Sequence, residues 1–410
     1  MNSDRVVVVG ASLAGLRACE SLRSEGFEGT ISLVGDEQEV PYDRPPLSKK
    51  FLSGEWPGDR IRLRQPDSFA ELQLDLQLGS PAVSLDLESR SVTLAGGAQV
   101  AGQAVIIATG ASPRRLPGQP AWPGIHVLRT LADSSRLRSE LGDGVRVVVI
   151  GAGFIGLEVA ATARQRGCEV TVLEGLPAPL VRGLGAELGT AVAAVHGRHG
   201  IEVRCGVQVT GFDGDERGVR GVLLADGEVV RADVVVVGVG VAPNTAWLDG
   251  SGLVVGDGVV CDSGLQAAPG VWAAGDCVRW PNLLFGDPST GEQMRVEHWT
   301  NAAEQGAHAA RNMMAVASGE EPSPYAAVPF FWSDQFESRI QFIGRAHGDD
   351  EVHVFAGSTD GAFAALYGHG GRLRGVLGVS MPKKVMPFRA LLSARASWDD
   401  AVAAAAALAG

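Results

Sequence analysis

Val145-Arg-Val-Val-Val-Ile-Gly-Ala-Gly-Phe-Ile-Gly-Leu-Glu158 decides how the rest of the chain is read. Val147 to Ile150 is an unbroken, mostly β-branched apolar run, the composition of a parallel strand covered on both faces. It breaks on Gly151-Ala-Gly153-Phe-Ile155-Gly156. At this spacing the first glycine makes the tight turn and the second lets backbone approach a pyrophosphate. The third lets the helix pack on the strand. The pattern predicts a helix from about Phe154 to Arg166, whose first N–H groups, that of Ile155 among them, point at the phosphates. A second strand, Glu169 to Leu173, ends on Glu174, 23 residues after Gly151. A carboxylate there accepts from the adenosine 2′- and 3′-hydroxyls and repels a 2′-phosphate, so the unit reads as binding NAD rather than NADP.

The pattern occurs a second time, at an offset of 141 residues, near the start of the chain. Arg5-Val-Val-Val-Val leads into Gly10-Ala-Ser12-Leu-Ala14-Gly15, with small Ser12 in place of the middle glycine. The following strand, Thr30 to Val34, arrives two residues late. Gly35 then falls where the other copy has Glu174, and Asp36 or Glu37 must serve the ribose. Asp36, the first carboxylate past the strand, is preferred. Two dinucleotide units in one chain imply two dinucleotides with electron transfer between them.

Composition narrows the class. The 410 residues suffice for two or three domains, and the 55 glycines fall at turns between apolar runs. A net charge of −12 argues against nucleic acid or an anionic membrane as partner. No apolar run approaches the ~18 residues of a membrane span. Asp4 precedes a strand that starts by residue 6, so no signal peptide is expected and the protein is expected to be soluble and cytoplasmic. The alanine-rich stretch 401–409 reads as a helical end or a frayed terminus. Cysteines 19, 168, 205, 261 and 277 form no CxxC pair and no zinc spacing, so no metal site is expected.

In Pro41-Tyr-Asp-Arg44-Pro-Pro-Leu-Ser48-Lys49-Lys50 the prolines predict an extended turn, with Ser48 capping a short helix that carries the lysines. Strands are expected over 78–86, 91–94 and 99–107, the last leaving on Ala108-Thr109-Gly110. The Pro-rich stretch 113–120 opens an inserted module with strands at 201–212, 221–224 and 229–237. The return crossover leaves through Gly238-Val-Gly240. Val271-Trp-Ala-Ala-Gly275-Asp276 is another buried strand. Beyond 324 the character becomes antiparallel, with strands over 327–336, 339–345, 352–356, 363–367 and 373–379, a turn at Gly368-His-Gly-Gly371 and a helix over 383–395. The expected fold is α/β: a discontinuous first module of 1–110 and 238–323, an NAD module of 111–237, and a C-terminal α+β domain of 324–410.

The motifs Gly10–Gly15, Tyr42–Lys49, Ala108–Gly110, Leu128-Arg-Thr130, Gly151–Glu158, Ala273–Asp276, Arg295-Val-Glu-His-Trp299 and Phe331-Trp-Ser-Asp-Gln335, in this order and spacing, resemble one family over essentially the full length. It is that of the FAD-dependent NADH:ferredoxin reductases of bacterial cytochrome P450 and aromatic-ring oxygenase systems, the putidaredoxin reductase type. The resemblance implies two Rossmann-like, glutathione-reductase-like domains with FAD in the first module. Ala14, Asp36, Val83, Thr109, Arg129, Asp276 and Val296 would hold FAD, within a surround that includes Arg44, Ala108, Gly110 and Gly275. Lys49 would approach the flavin near N5, paired with Glu158, and Trp299 and Trp332 would pack near the ring. Lys49, Glu158 and Trp332 are the implied catalytic residues.

The implied reaction passes a hydride from NADH to FAD, then single electrons to an acidic [2Fe–2S] ferredoxin. The protein would be a monomer or weak dimer. Arg60, Arg62 and Arg64, or Lys383, Lys384 and Arg389, would meet the ferredoxin. Sister disulfide reductases carry a redox cysteine on the helix facing the flavin, whereas Arg44 to Lys49 holds none. An NADH oxidase or quinone reductase, and an NADH-sensing flavoprotein of the apoptosis-inducing-factor kind, remain the alternatives on the same fold.

Overall fold

The computed structural model describes residues 4–286 and 292–408, which form two compact units. The first comprises the described residues of Met1–Asp43, Arg62–Ser112 and Ala242–Pro329. The second comprises those of Arg44–Ile61, Pro113–Val241 and Phe330–Gly410. Among the described residues no helix is long and apolar enough to cross a membrane.

The first unit is built on a six-stranded sheet in the order Gln266–Ala268, Val271–Ala273, Ala104–Ile107, Arg5–Val9, Thr30–Val34, Leu74–Gln77. All but the first of these strands run parallel. Val6, Val7 and Val8 are fully buried at its centre, as an apolar run in a doubly covered sheet must be. Helices Leu13–Ser24 and Trp299–Ala317 pack closely, because a Cβ at Gly306 would lie 2.2 Å from the Ala14 carbonyl oxygen.

Two expected strands differ here. The run 99–107 divides into Gln99–Ala101 and Ala104–Ile107, which belong to different sheets. The break falls at Gly102, where a Cβ would meet the Arg5 carbonyl oxygen at 2.6 Å. The run 78–86 begins only at Ala82, since Gly79 turns the chain with φ of +62°, and Leu74–Gln77 supplies the sheet edge instead.

In the second unit a parallel sheet runs Glu202–Cys205, Glu169–Glu174, Arg146–Ile150, Val234–Val237, Ile125–His126. Residues 229–237 divide at Ala232-Asp233, where Asp233 ion-pairs with Arg146 at 2.6 Å and the chain passes from an antiparallel sheet to the parallel one. The run 201–212 likewise divides, into Glu202–Cys205 and Val209–Asp215.

The C-terminal sheet is antiparallel, in the order Phe330–Gln335, Ser338–Gly344, Arg372–Val379, Phe363–His369, Glu351–Gly357. Val149 and Leu157 share one buried core with Phe342, Phe363 and Tyr367, and the Tyr367 hydroxyl donates to the Leu184 carbonyl at 2.8 Å. The helix expected over 383–395 is two, Pro382–Val385 and Phe388–Ser393, separated at Pro387, which has no N–H to continue the first. Helix Trp398–Leu408 follows, and Ala409 lies outside the described residues.

Segment Arg44–Ile61 sits in the second unit, although the sequence division assigns it to the first module. Leu52 is fully buried in the second core, and the Arg166 guanidinium donates to the carbonyls of Leu52, Ser53, Arg138 and Leu141. Four backbone acceptors on one fixed fork hold the segment there.

Candidate functional site

The two glycine loops are built alike. Gly10 has φ of +124° and Gly151 +106°, and a Cβ on either would strike the neighbouring strand exit. At Gly10 it would lie 2.0 Å from the Ala108 carbonyl oxygen, and at Gly151 2.4 Å from that of Gly238. The third glycines are packing positions, since a Cβ on Gly15 or Gly156 would lie 2.0 or 2.1 Å from the carbonyl oxygen of the first glycine. A Cβ on Gly153 meets nothing within 4 Å. That open, exposed backbone is what a pyrophosphate needs, and the helix Phe154–Gln165 begins behind it. Ile155, 49 % exposed, stands on its first turn.

Glu174 is fastened to its loop. One carboxylate oxygen accepts from the Ala152 N–H at 2.7 Å and the other from the Leu176 N–H at 2.8 Å. Among the described residues no cation pairs with it, so nothing neutralises it against a 2′-phosphate. In the first unit the Tyr42 hydroxyl donates to Glu37 at 2.5 Å, whereas Asp36 is exposed and has no side-chain partner among the described residues.

Of the remaining first-unit positions, Thr109 and Gly275 lie beside the Gly10–Gly15 loop. The Thr109 hydroxyl donates to the Asn244 carbonyl at 2.7 Å, and the Asn244 amide returns a bond to the Thr109 carbonyl at 2.9 Å. Gly275 donates its N–H to the buried Gln305 amide oxygen at 2.8 Å, and a Cβ there would sit 3.1 Å from that of Ala14. Asn244 and Gln305 were missed in the sequence, where an amide far along the chain carries no local signal. Asp276 is half-buried and accepts at its carbonyl from Arg295, and Val296 is buried. The Trp299 indole donates to Asp43 at 2.7 Å. Val83, 48 % exposed, falls at a bulge in the strand Ala82–Asp86.

In the second unit Arg44 donates to the Arg129 carbonyl at 2.7 Å, just before the Thr130–Asp133 capping box of helix Leu131–Glu140. Lys49 and Glu158 form an ion pair at 2.5 Å, their side chains 16 % and 6 % exposed. Ser48 caps no lysine helix. It ends the 3₁₀ turn Pro45–Ser48 and gives its hydroxyl to Glu158 at 2.6 Å, because the buried carboxylate is the stronger acceptor. Trp332 is half-buried, its ring 6.0 Å from that of Phe330.

The candidate docking cations are less available than a charge count suggests. Lys384 donates to the Leu408 carbonyl, Arg64 pairs with Glu20 and Glu71, and Arg60 lies over the Trp56 ring at 4.3 Å. Lys383 is exposed.

Burial pushes the pKa of Cys19, Cys168, Cys205, Cys261 and Cys277 up, so all are held as thiols. Asp349, Asp350 and His369 bring one ligand atom each within 4.8 Å of one another, in an acidic turn of a kind common without an ion.

Both loops fit a bound pyrophosphate, and the acids beside them differ. A chain with this pair of sites is an oxidoreductase that holds two dinucleotides, FAD and NAD(H). The family model described as pyridine nucleotide-disulphide oxidoreductase matches residues 4–306, and that described as reductase C-terminal matches 330–409. Rhodocoxin reductase of Rhodococcus erythropolis is 39 % identical over 391 residues, 95 % of this chain and 89 % of that one. Putidaredoxin reductase CamA of Pseudomonas putida is 35 % identical over 387 residues, 93 % and 89 % of the two chains. The fold matches the crystal structure of the covalent putidaredoxin reductase–putidaredoxin complex with a TM-score of 0.89 at 33 % identity, covering 96 % of this chain and 94 % of that one. The chain belongs to the pyridine nucleotide-disulphide oxidoreductases, among the ferredoxin reductases of the putidaredoxin reductase type.

Proposed function

We infer that this chain carries electrons from NADH through FAD to a [2Fe–2S] ferredoxin serving a cytochrome P450 or a ring-hydroxylating oxygenase. The observation that carries this reading is the combination of two dinucleotide loops with a thiol-free segment Arg44–Lys49. Within a family whose disulfide branch passes electrons to a cysteine pair, all five cysteines here lie elsewhere, with thiol pKa values raised by burial. FAD, when bound, takes an electron pair and releases electrons singly, which a [2Fe–2S] centre requires.

The chain's own residues divide the work. The Gly151–Gly156 loop and Glu174 hold NADH, while the Gly10–Gly15 loop, Asp36, Thr109, Asp276 and Val296 hold FAD. Lys49, paired with Glu158, favours the electron-rich reduced ring. With a net charge of −12, encounter with an acidic ferredoxin needs a local positive patch, for which Lys383, Lys384 and Arg389 rank ahead of Arg60, Arg62 and Arg64. The setting is the cytoplasm, and the protein works as a monomer or weak dimer.

The test is steady-state NADH oxidation with and without a panel of [2Fe–2S] ferredoxins, read through cytochrome c. Turnover should depend on ferredoxin, and Lys383→Glu should raise KM for ferredoxin while leaving flavin reduction by NADH unchanged. Equal NADH turnover on oxygen or a quinone alone would identify an oxidase or quinone reductase. A long-lived reduced complex indifferent to ferredoxin would identify a sensing protein.

A further inference from the structure

Glu158 is held by more than its lysine. Lys49 Nζ and Ser48 Oγ meet Oε2 at 2.5 and 2.6 Å, and Ser333 Oγ meets Oε1 at 2.5 Å. Ser333 lies 175 residues further along, on strand Phe330–Gln335. Behind it the bonds continue. Gln335 Nε2 lies 3.1 Å from Ser333 Oγ, and Gln335 Oε1 lies 2.9 Å from His196 Nε2. Ser333, Gln335 and His196 are each 0 % exposed.

The direction of this chain is forced. An ionised carboxylate only accepts, so Ser333 spends its one hydrogen on Glu158 and its oxygen is left to accept from the Gln335 amide. Gln335 must then turn its carbonyl toward His196, and the imidazole must carry its proton on Nε2. Burial lowers the His196 pKa and keeps the ring neutral. Its Nδ1 is buried without a hydrogen-bond partner among the described residues. Three buried polar side chains and one bare nitrogen are a costly way to fill a core that leucines would fill well.

Strand alternation explains the placement. Phe331, Ser333 and Gln335 share one face, and Trp332 projects from the other. Phe331 packs edge-on against Phe154 at 4.7 Å, which brings this face against the helix carrying Glu158. The Lys49 ammonium in turn has three hydrogens and three acceptors, Glu158, the Pro45 carbonyl at 3.2 Å and Ser48 Oγ at 3.3 Å. Where the carboxylate turns, the ammonium follows.

We propose that Ser333, backed by Gln335 and His196, is a positioning residue that fixes the Glu158 carboxylate and through it the Lys49 ammonium. The proposal rests on the reading of Lys49 at the flavin edge given above.

The test uses the holoprotein with Ser333→Ala, Ser333→Thr, Gln335→Met and Glu158→Gln. Three quantities are read: the flavin midpoint potential, the rate constant for flavin reduction, and the proton position on His196 in ¹⁵N-histidine spectra. Ser333→Ala should shift the potential in the same direction as Glu158→Gln and slow reduction about tenfold, the size of one hydrogen bond to a charged group, with KM for NADH unchanged. Ser333→Thr should restore both. Gln335→Met, which leaves Glu158 untouched, should reproduce part of the effect if Ser333→Ala fails to fold. His196 should carry a slowly exchanging Nε2 proton that exchanges faster in Ser333→Ala.

Wild-type potential and rate in Ser333→Ala, with both moved in Glu158→Gln, would overturn the proposal. If Glu158→Gln moves neither, the flavin-edge reading has failed. The chain is then decided by the imidazole alone: faster Nε2 exchange in Ser333→Ala upholds it, and an Nδ1 proton overturns it.

Discussion

Removing either member of the Lys49–Glu158 pair should cost far more stability than a surface ion pair, and removing both should cost less than the sum. The charges lie 2.5 Å apart, with the side chains 16 % and 6 % exposed. At an effective dielectric of ~20, unit charges at that separation attract by roughly 7 kcal/mol. Loss of hydration by both ions offsets more than half, which leaves a coupling of about 2–3 kcal/mol. Glu158→Ala also strips the Ser48 and Ser333 hydroxyls of their acceptor, so its own cost should reach about 3–5 kcal/mol. Lys49→Ala leaves the carboxylate with two hydroxyl donors and should cost about 2 kcal/mol. Urea unfolding of the four holoproteins, with FAD in fixed excess, measures the cycle. Additivity within ~0.5 kcal/mol would show a solvent-screened contact and refute the argument.

Glu174, with no cation paired to it among the described residues, should make NADH the preferred nucleotide by about a hundredfold in kcat/KM, and Glu174→Ala should narrow the gap, so equal use of NADPH by the unmutated protein sinks that idea. Gly156→Ala places a Cβ 2.1 Å from the Gly151 carbonyl oxygen and should lower Tm by several degrees. Gly153→Ala has open space, so it should fold normally yet raise KM for NADH, and an unchanged KM would remove Gly153 from the nucleotide site. Burial pushes the pKa of His196 down and that of His298 down to about 4. The unfolded chain binds these protons near pH 6.5 and the folded chain does not, so this contribution is fully present above that value and is lost as pH falls toward 4. Tm should fall between pH 7 and 5, with a shallower slope in His298→Gln, and the same slope in both proteins would contradict this.

The two dinucleotide loops were legible in the sequence because their constraints are local. Gly151 and Gly156 stand five residues apart in one strand–turn–helix, and a Cβ on either would strike backbone, so the composition of that short stretch carries the geometry. The same holds for the valine runs, whose apolar continuity follows from sheets covered on both faces. Strand and helix breaks were partly legible: Gly102 and Pro387 stand in the sequence, but what each break accomplishes depends on which sheet or helix the next residues join. Ser48 shows the limit of local reading. As a small hydroxyl beside two prolines it has the character of a helix cap, and its hydroxyl goes instead to a carboxylate 110 residues away. The placement of Arg44–Ile61 beside Arg166, the clasp between Thr109 and Asn244, and the bond from Ser333 to Glu158 are likewise tertiary facts. Sequence periodicity reports which side of an element is buried. Which distant polar group meets another on that side depends on how whole sheets and helices pack, and a buried carboxylate takes whatever donors the packing brings within reach.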